Sequence, residues 1–180
     1  MKRLLLFTAI ISVCSLSKAQ TGNNQIGIAL EVGVPMGDFG DAAKAGFGGL
    51  LRGAYGIGTA GHITLTTGYE SFRSKSDLED ALGADKITYN IVPILAGYRH
   101  NFSGFYIEPQ IGYGIYGSKI KGGTFDGSDS EGAFTFGGGL GYEKTGFEIG
   151  ARIQAASKDG STTSFIGFHV GYNFTLGGSQ

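Results

Sequence analysis

The chemistry available to this chain rests on nine polar residues: Glu31, Arg52, Glu70, Glu108, Gln110, Glu148, Arg152, Gln154 and His169. Each lies in a run that alternates apolar residues with glycine, other small side chains or these polar ones. Carboxylates and guanidiniums placed this way suit buried charge-assisted pairs assembled from distant segments. They do not make a local catalytic motif. The three histidines show no metal-ligand spacing, and zinc would find no cysteine beyond Cys14. Asp126-Gly127-Ser128-Asp129-Ser130-Glu131 offers oxygen ligands at alternate positions, as a hard cation needs, but it lacks the full EF-hand pattern. A solvated acidic loop is expected there. Gly137-Gly138-Gly139 and Gly56-x-Gly58 resemble phosphate loops only until their context is read, since neither leads into a helix. An outer-membrane lipid A deacylase would need His, Ser and an acid together near the outer leaflet, and no histidine is expected there. The expectation is no catalytic residue, no metal, no cofactor and no enzymatic activity.

The elements that must hold these residues follow from period two. Ile26, Ile28, Leu30, Val32 and Val34 fall on one side of a run, and Gly27, Ala29, Glu31 and Gly33 on the other. Eight such segments are expected: Gln25–Val34, Gly46–Ile57, His62–Phe72, Lys86–Arg99, Phe105–Tyr116, Gly132–Tyr142, Gly146–Ala156 and Ser164–Phe174. An apolar face opposite glycine and isolated charge describes a strand with lipid outside and a polar lumen inside. A soluble, lipocalin-like barrel would need the reverse. Tight links at Gly58–Gly61, His100–Gly104 and Glu143–Thr145 alternate with long polar links, the pattern of periplasmic turns and extracellular loops. The fold expected is all-β: an eight-stranded antiparallel transmembrane up-and-down β-barrel.

Lipid-facing positions then include Phe47, Leu51, Ile63, Leu65, Tyr69, Ile107, Ile111, Tyr113, Phe136, Leu140, Ile149, Phe168 and Val170. Gly-Tyr recurs at 68–69, 112–113, 141–142 and 171–172, with glycine inward and tyrosine outward. The fourth segment is inconsistent. If Ile87, Tyr89 and Ile91 face lipid, their phase opposes that of Gly97-Tyr98, and a bulge near Pro93 would reconcile them. Ser76-Asp77-Leu78-Glu79 is a capping-box pattern that could start one helical turn in a loop. His62 and His100 are expected as solvated turn residues, and His169 as a hydrogen-bonded filler of the lumen. Counting along the strands puts Glu31, Arg52 and Arg152 near one height, a carboxylate between two guanidiniums.

The head of the chain reads as a secretory signal. Met1-Lys2-Arg3 is basic, Leu4–Val13 is apolar but too short to span a bilayer, and Ser17-Lys18-Ala19 precedes a cut before Gln20. Residues 1–19 are the expected signal peptide and 20–180 the barrel domain. A lipidated Cys14 is disfavoured by Val13 just before it. Without Lys2, Arg3 and Lys18 the basic count falls from 14 to 11 against 15 acids, near −4, which leaves no basic surplus for nucleic acid. Glycine is abundant at 34 of 180, yet 13 Phe and 9 Tyr exclude a disordered glycine-rich chain.

Several short motifs resemble the outer membrane protein beta-barrel domain family of Gram-negative bacteria. They are Pro35-Met36-Gly37-Asp38-Phe39, Gly46-Phe47-Gly48, Phe105-Tyr106-Ile107-Glu108-Pro109-Gln110, Ala151-Arg152-Ile153-Gln154 and Gly171-Tyr172-Asn173-Phe174. Tyr172 and Phe174 are similar to the terminal signal read by the barrel-assembly machinery, although His169 replaces a commoner glycine and six residues follow Phe174. The resemblance implies a fold and a membrane, with outer-membrane lipid and lipopolysaccharide as surroundings. The expected function is a monomeric barrel with a filled lumen, acting structurally or at the surface through its extracellular loops. A narrow channel for ions or small solutes is the alternative.

Overall fold

The computed structural model describes residues 24–77, 86–122, 127–158 and 161–176. The expected signal peptide, Leu78-Glu79 of the capping-box pattern, and Asp126 lie outside the described residues. The strands are β1 (Asn24–Met36), β2 (Gly46–Ile57), β3 (Gly61–Arg73), β4 (Lys86–Phe102), β5 (Phe105–Lys121), β6 (Gly127–Lys144), β7 (Phe147–Lys158) and β8 (Ser161–Leu176). A short helix, α1 (Gly37–Ala42), follows β1. Every strand pairs antiparallel with its sequence neighbour, and β1 closes on β8. The eight-stranded up-and-down barrel is therefore complete.

Alternation decides which side of the wall each residue takes. Leu30, Phe47 and Leu140 remain 72%, 72% and 63% exposed, whereas Glu31 and Arg99 are 2% and 1% exposed. An apolar exterior around a charged interior inverts a water-soluble barrel and suits a wall bathed in hydrocarbon. The lipid-facing positions expected from sequence lie on this exterior; Phe47, Leu51, Tyr69, Ile111, Leu140 and Phe168 are all exposed.

Strand stagger follows from the pairing. The chain of partners Gln25–Ala54–Thr64–Gly97–Gln110–Gly137–Gln154–Phe165 returns to β1 at Pro35, ten residues beyond its start. With ~3.3 Å per residue and ~4.7 Å between strands, that offset tilts the strands by about 40°. Side chains fill such an interior only if some inner positions stay small. A Cβ at Gly141 would lie 2.5 Å from the Tyr106 hydroxyl, and one at Gly150 would lie 2.7 Å from His169 Nε2. These two glycines make the room that Tyr106 and His169 occupy.

The strands outrun their apolar patterns at several ends. Gly127–Glu131, expected as a loop, forms the extracellular end of β6 and pairs with Tyr116–Ile120. Polar residues outside the bilayer keep the ladder while losing the hydrophobic signal. At the other end, Phe102 pairs with Phe105 and Lys144 with Phe147, leaving two-residue turns. Ser103, Gly104, Thr145 and Gly146 all have positive φ, as a type I′ hairpin turn requires. Gly146 thus belongs to a turn and not to β7.

No bulge occurs at Pro93. Its strand keeps one register against both neighbours, and Ile87, Ile91, Pro93, Leu95 and Arg99 are all buried in one inward phase. Proline costs only a ladder hydrogen bond here. The expected conflict arose from assigning Ile87, Tyr89 and Ile91 to lipid. They face inward because the extracellular end of the lumen is apolar.

That end is partly covered from above, beside an open cavity of about 210 Å³ lined by Phe39, Tyr89, Ile91 and Tyr116. Gly37, at φ +57°, turns the chain out of β1, and α1 carries Phe39 over the mouth. Phe39 meets Phe72 edge-on at 5.1 Å between centroids and Tyr89 at 5.7 Å, while Phe72 packs on Phe165 at 5.4 Å. Ala43 bridges to Ser74, tying the segment to the end of β3.

Candidate functional site

All nine polar positions singled out from the sequence are buried on the inner wall, none more than 7% exposed. They assemble into two clusters that follow strand register. The first gathers around Arg152 on β7. Its Nε donates to Glu31 Oε2 at 2.9 Å, its Nη2 donates to Glu31 Oε1 at 2.8 Å and also to Glu70, and its Nη1 donates to Gln154 Oε1 at 2.7 Å. The planar guanidinium spends its donors on two carboxylates and an amide, and it lies 5.3 Å from the Phe165 ring.

Glu148 on β7 centres the second cluster. It accepts from Arg52 Nη1 at 2.8 Å, Arg99 Nη1 at 2.9 Å, the Tyr106 hydroxyl at 2.8 Å and Asn173 Nδ2 at 2.7 Å. Arg99 also reaches Glu108 Oε2 at 2.9 Å and Glu143 Oε2 at 3.3 Å, and stacks 3.8 Å from the centre of the Tyr106 ring. Glu108 accepts from Thr64 Oγ1 at 2.7 Å and Gln110 Nε2 at 2.8 Å. A carboxylate with this many donors is held in place at its lone pairs.

His169 joins the two. Its Nε2 is 2.9 Å from Glu148 Oε1 and its Nδ1 is 3.6 Å from Glu31 Oε2. The polar chain continues upward from Gln154 Nε2 to the Tyr116 hydroxyl at 3.2 Å, and from there to Thr135 at 2.9 Å. Above Tyr116 the lumen is aromatic.

Three expectations change. Glu31 is not held between Arg52 and Arg152; Arg152 grips it, while Arg52 pairs with Glu148. On β1, Glu31 pairs across from Gly48 but Arg52 pairs across from Gly27, four residues nearer the periplasm. Strand tilt separates positions that a count along each strand places level. His62 is buried on the inner wall, 3.2 Å from Asn101, because β3 begins at Gly61 and gives it the inward phase. His100 is half-buried on the outer wall, its ring 4.5 Å from that of Phe102. Neither is a solvated turn residue.

Sequence reading missed Arg99, Tyr106 and Asn173. The signal was present: Gly97 was placed inward, so Arg99 two residues on is inward, and Tyr106 alternates with outward Phe105 and Ile107. No group of three or more His, Cys, Asp or Glu suited to a metal occurs among the described residues. Asp129 and Glu131 point toward the mouth from the inner phase of β6, and Glu131 pairs with Lys158 at 2.6 Å.

The outer membrane protein beta-barrel domain family matches residues 5–175. The chain belongs to that family. No curated protein sequence matches it. Among solved structures it is similar to Ail, the attachment invasion locus protein of Yersinia pestis, with TM-score 0.62 and 16% identity over 86% of this chain and 100% of that one. It also resembles Neisserial surface protein A, with TM-score 0.57 and 12% identity over 85% of this chain and 97% of that one. The N-terminal barrel domain of Pseudomonas aeruginosa OprF gives TM-score 0.56 and 18% identity over 86% and 100%. At these identities the likeness is one of fold. The family places the barrel in the outer membrane, where the apolar wall meets lipid and the ionic clusters face the lumen.

Proposed function

We propose that this family member is a closed outer-membrane barrel that works through its surface and extracellular rim and does not conduct. One observation carries the reading. Two hydrogen-bonded clusters, one of Glu143, Arg99, Glu148 and His169 and the other of Glu31, Arg152, Gln154 and Tyr116, meet at a 3.6 Å contact between His169 and Glu31 and together line the lumen up to the point where the aromatic cap begins. An ion entering that lumen would have to break charge pairs and then displace Phe72 and Phe165. Eight strands leave little room beyond side chains in any case.

Surface action is supported by the similar structures, an attachment invasion locus protein and a surface protein; Ail was also solved with the heparin analogue sucrose octasulfate. Neither catalysis nor a cofactor is part of this reading. Export through cleavage after Ala19 and insertion as a monomer by the barrel-assembly machinery complete it. Intact mass of the purified protein should begin at Gln20, and a diacylated chain beginning at Cys14 would refute the leader assignment. Planar-bilayer recording tests the lumen directly. The expected result is heat-modifiable migration of the sample on a detergent gel with no steady single-channel current; stable unitary currents would favour a narrow channel instead.

A further inference from the structure

The outer wall is apolar over most of its height, but one sector of its extracellular rim is cationic. On β3, β4 and β5 the outward phase ends in Arg73, Lys86, Lys119 and Lys121, all exposed. Register brings them together. Arg73 pairs across from Thr88, Thr88 from Lys119, and Lys119 from Ser128, so one row crosses four strands. Just beyond it, Lys86 and Lys121 stand directly opposite each other. Like charges so placed, with Cβ atoms about 5 Å apart, repel unless an anion lies between them. Among the described residues no acid forms an ion pair with any of the four; Glu131, on the inner phase of β6, engages Lys158.

Height decides what anion can reach them. Outward positions on β5 are apolar from Phe105 through Ile115, and Ile115 is 44% exposed. Lys119 lies four residues further, about 13 Å along the tilted strand and about 10 Å in height. That is the headgroup layer above the hydrocarbon. Outward positions at the same end of β1, β7 and β8 are uncharged: Val34, Ser157, Thr162 and Ser164. Long cationic side chains rooted at the hydrocarbon edge lay their stems on the apolar wall and carry their charge at headgroup level. Thr88 sits between Arg73 and Lys119, and Ser128 flanks Lys119 on the other side, each with a hydroxyl to donate.

We propose that this sector binds the phosphate groups of the outer-leaflet glycolipid, with Arg73, Lys86, Lys119 and Lys121 as the phosphate ligands. The inference rests on the outer-membrane reading and gives the surface an orientation toward one lipid class.

The test uses full-length protein in detergent, with diphosphorylated lipid A and its dephosphorylated form as probes in native mass spectrometry. Wild type should retain the diphosphorylated lipid at least about tenfold better. Arg73→Gln, Lys86→Gln, Lys119→Gln and Lys121→Gln should each weaken that retention about fivefold, the equivalent of ~1 kcal/mol per interfacial cation, and the quadruple variant should lose the preference. Lys158→Gln, on the inner phase, should leave it unchanged. Heat-modified migration of each sample reports barrel closure separately, so a failed barrel is distinguishable from a failed patch. Equal retention of both lipids, or unaltered preference in the four single variants, would overturn the proposal. Displacement of the lipid by equimolar sucrose octasulfate would reassign the sector to a soluble polyanion and overturn it as well.

Discussion

Below Gln154 the lumen holds three guanidiniums among four buried glutamates, whereas above it Phe39, Phe72, Ile91 and Phe165 fill the same cross-section. The two halves occupy the lumen by unlike means. The ionic half is directional. Each partner has a fixed height, so losing one member leaves a buried charge unsatisfied. The aromatic half is non-directional and depends on volume, so losing a ring leaves a gap. The periplasmic half is built from strands alone, while the extracellular half borrows Phe39 from α1. Charge pairs therefore fix register where eight strands must agree, and a cap of rings suffices where a loop folds in.

The sharpest test of this contrast is Arg152→Gln, which strands Glu31 and Glu70. Chemical denaturation in lipid vesicles should show a loss of about 3–5 kcal/mol. A cycle with Glu31→Gln should recover part of it as coupling, and the coupling between Glu31→Gln and Arg52→Gln should be smaller. Equal coupling would mean that the two ionic clusters act as one. Phe72→Ala, at a fully buried ring, should cost about 3–4 kcal/mol by the same measurement. Because the ionic half remains, its bilayer recordings should stay silent; a steady current would show that the cap is the seal.

Outside the wall the two halves should not differ. Arginine at Leu140, beside the ionic half, or at Ile111 should cost about 2–4 kcal/mol each in refolded protein. Arginine at Ser130, exposed on the rim, should cost under about 0.5 kcal/mol. Uniform tolerance at all three would break the inside–outside assignment. The smallest effect expected is Tyr106→Phe, which removes one of several donors to Glu148. A loss of about 1 kcal/mol with unchanged gel mobility is the expected outcome.

Legibility differed between the halves too. In the periplasmic half, isolated charges against an apolar background mark the inner phase plainly, as at Glu31, Glu108 and Arg152. In the extracellular half the contrast on β4 is reversed: Ile87, Tyr89 and Ile91 face the lumen while Lys86, Thr88 and Asn90 take the opposite phase, so a rule that sends apolar residues to lipid assigned the first three outward. Phe39 was noticed only as part of a short family motif. Nothing local distinguishes a loop phenylalanine that covers a barrel mouth from one that meets lipid.

Strand number, the two faces of every strand except the upper part of β4, and which loops are short were decided by the sequence alone, because period-two alternation and turn chemistry are local properties. Which charge meets which was decided only by the tertiary structure. Closure adds a ten-residue offset around the barrel, so height in the lumen depends on every pairing at once. Glu31 meets Arg152 from across the closing seam, and Arg52 passes it by for Glu148. No single strand holds the information that makes that choice.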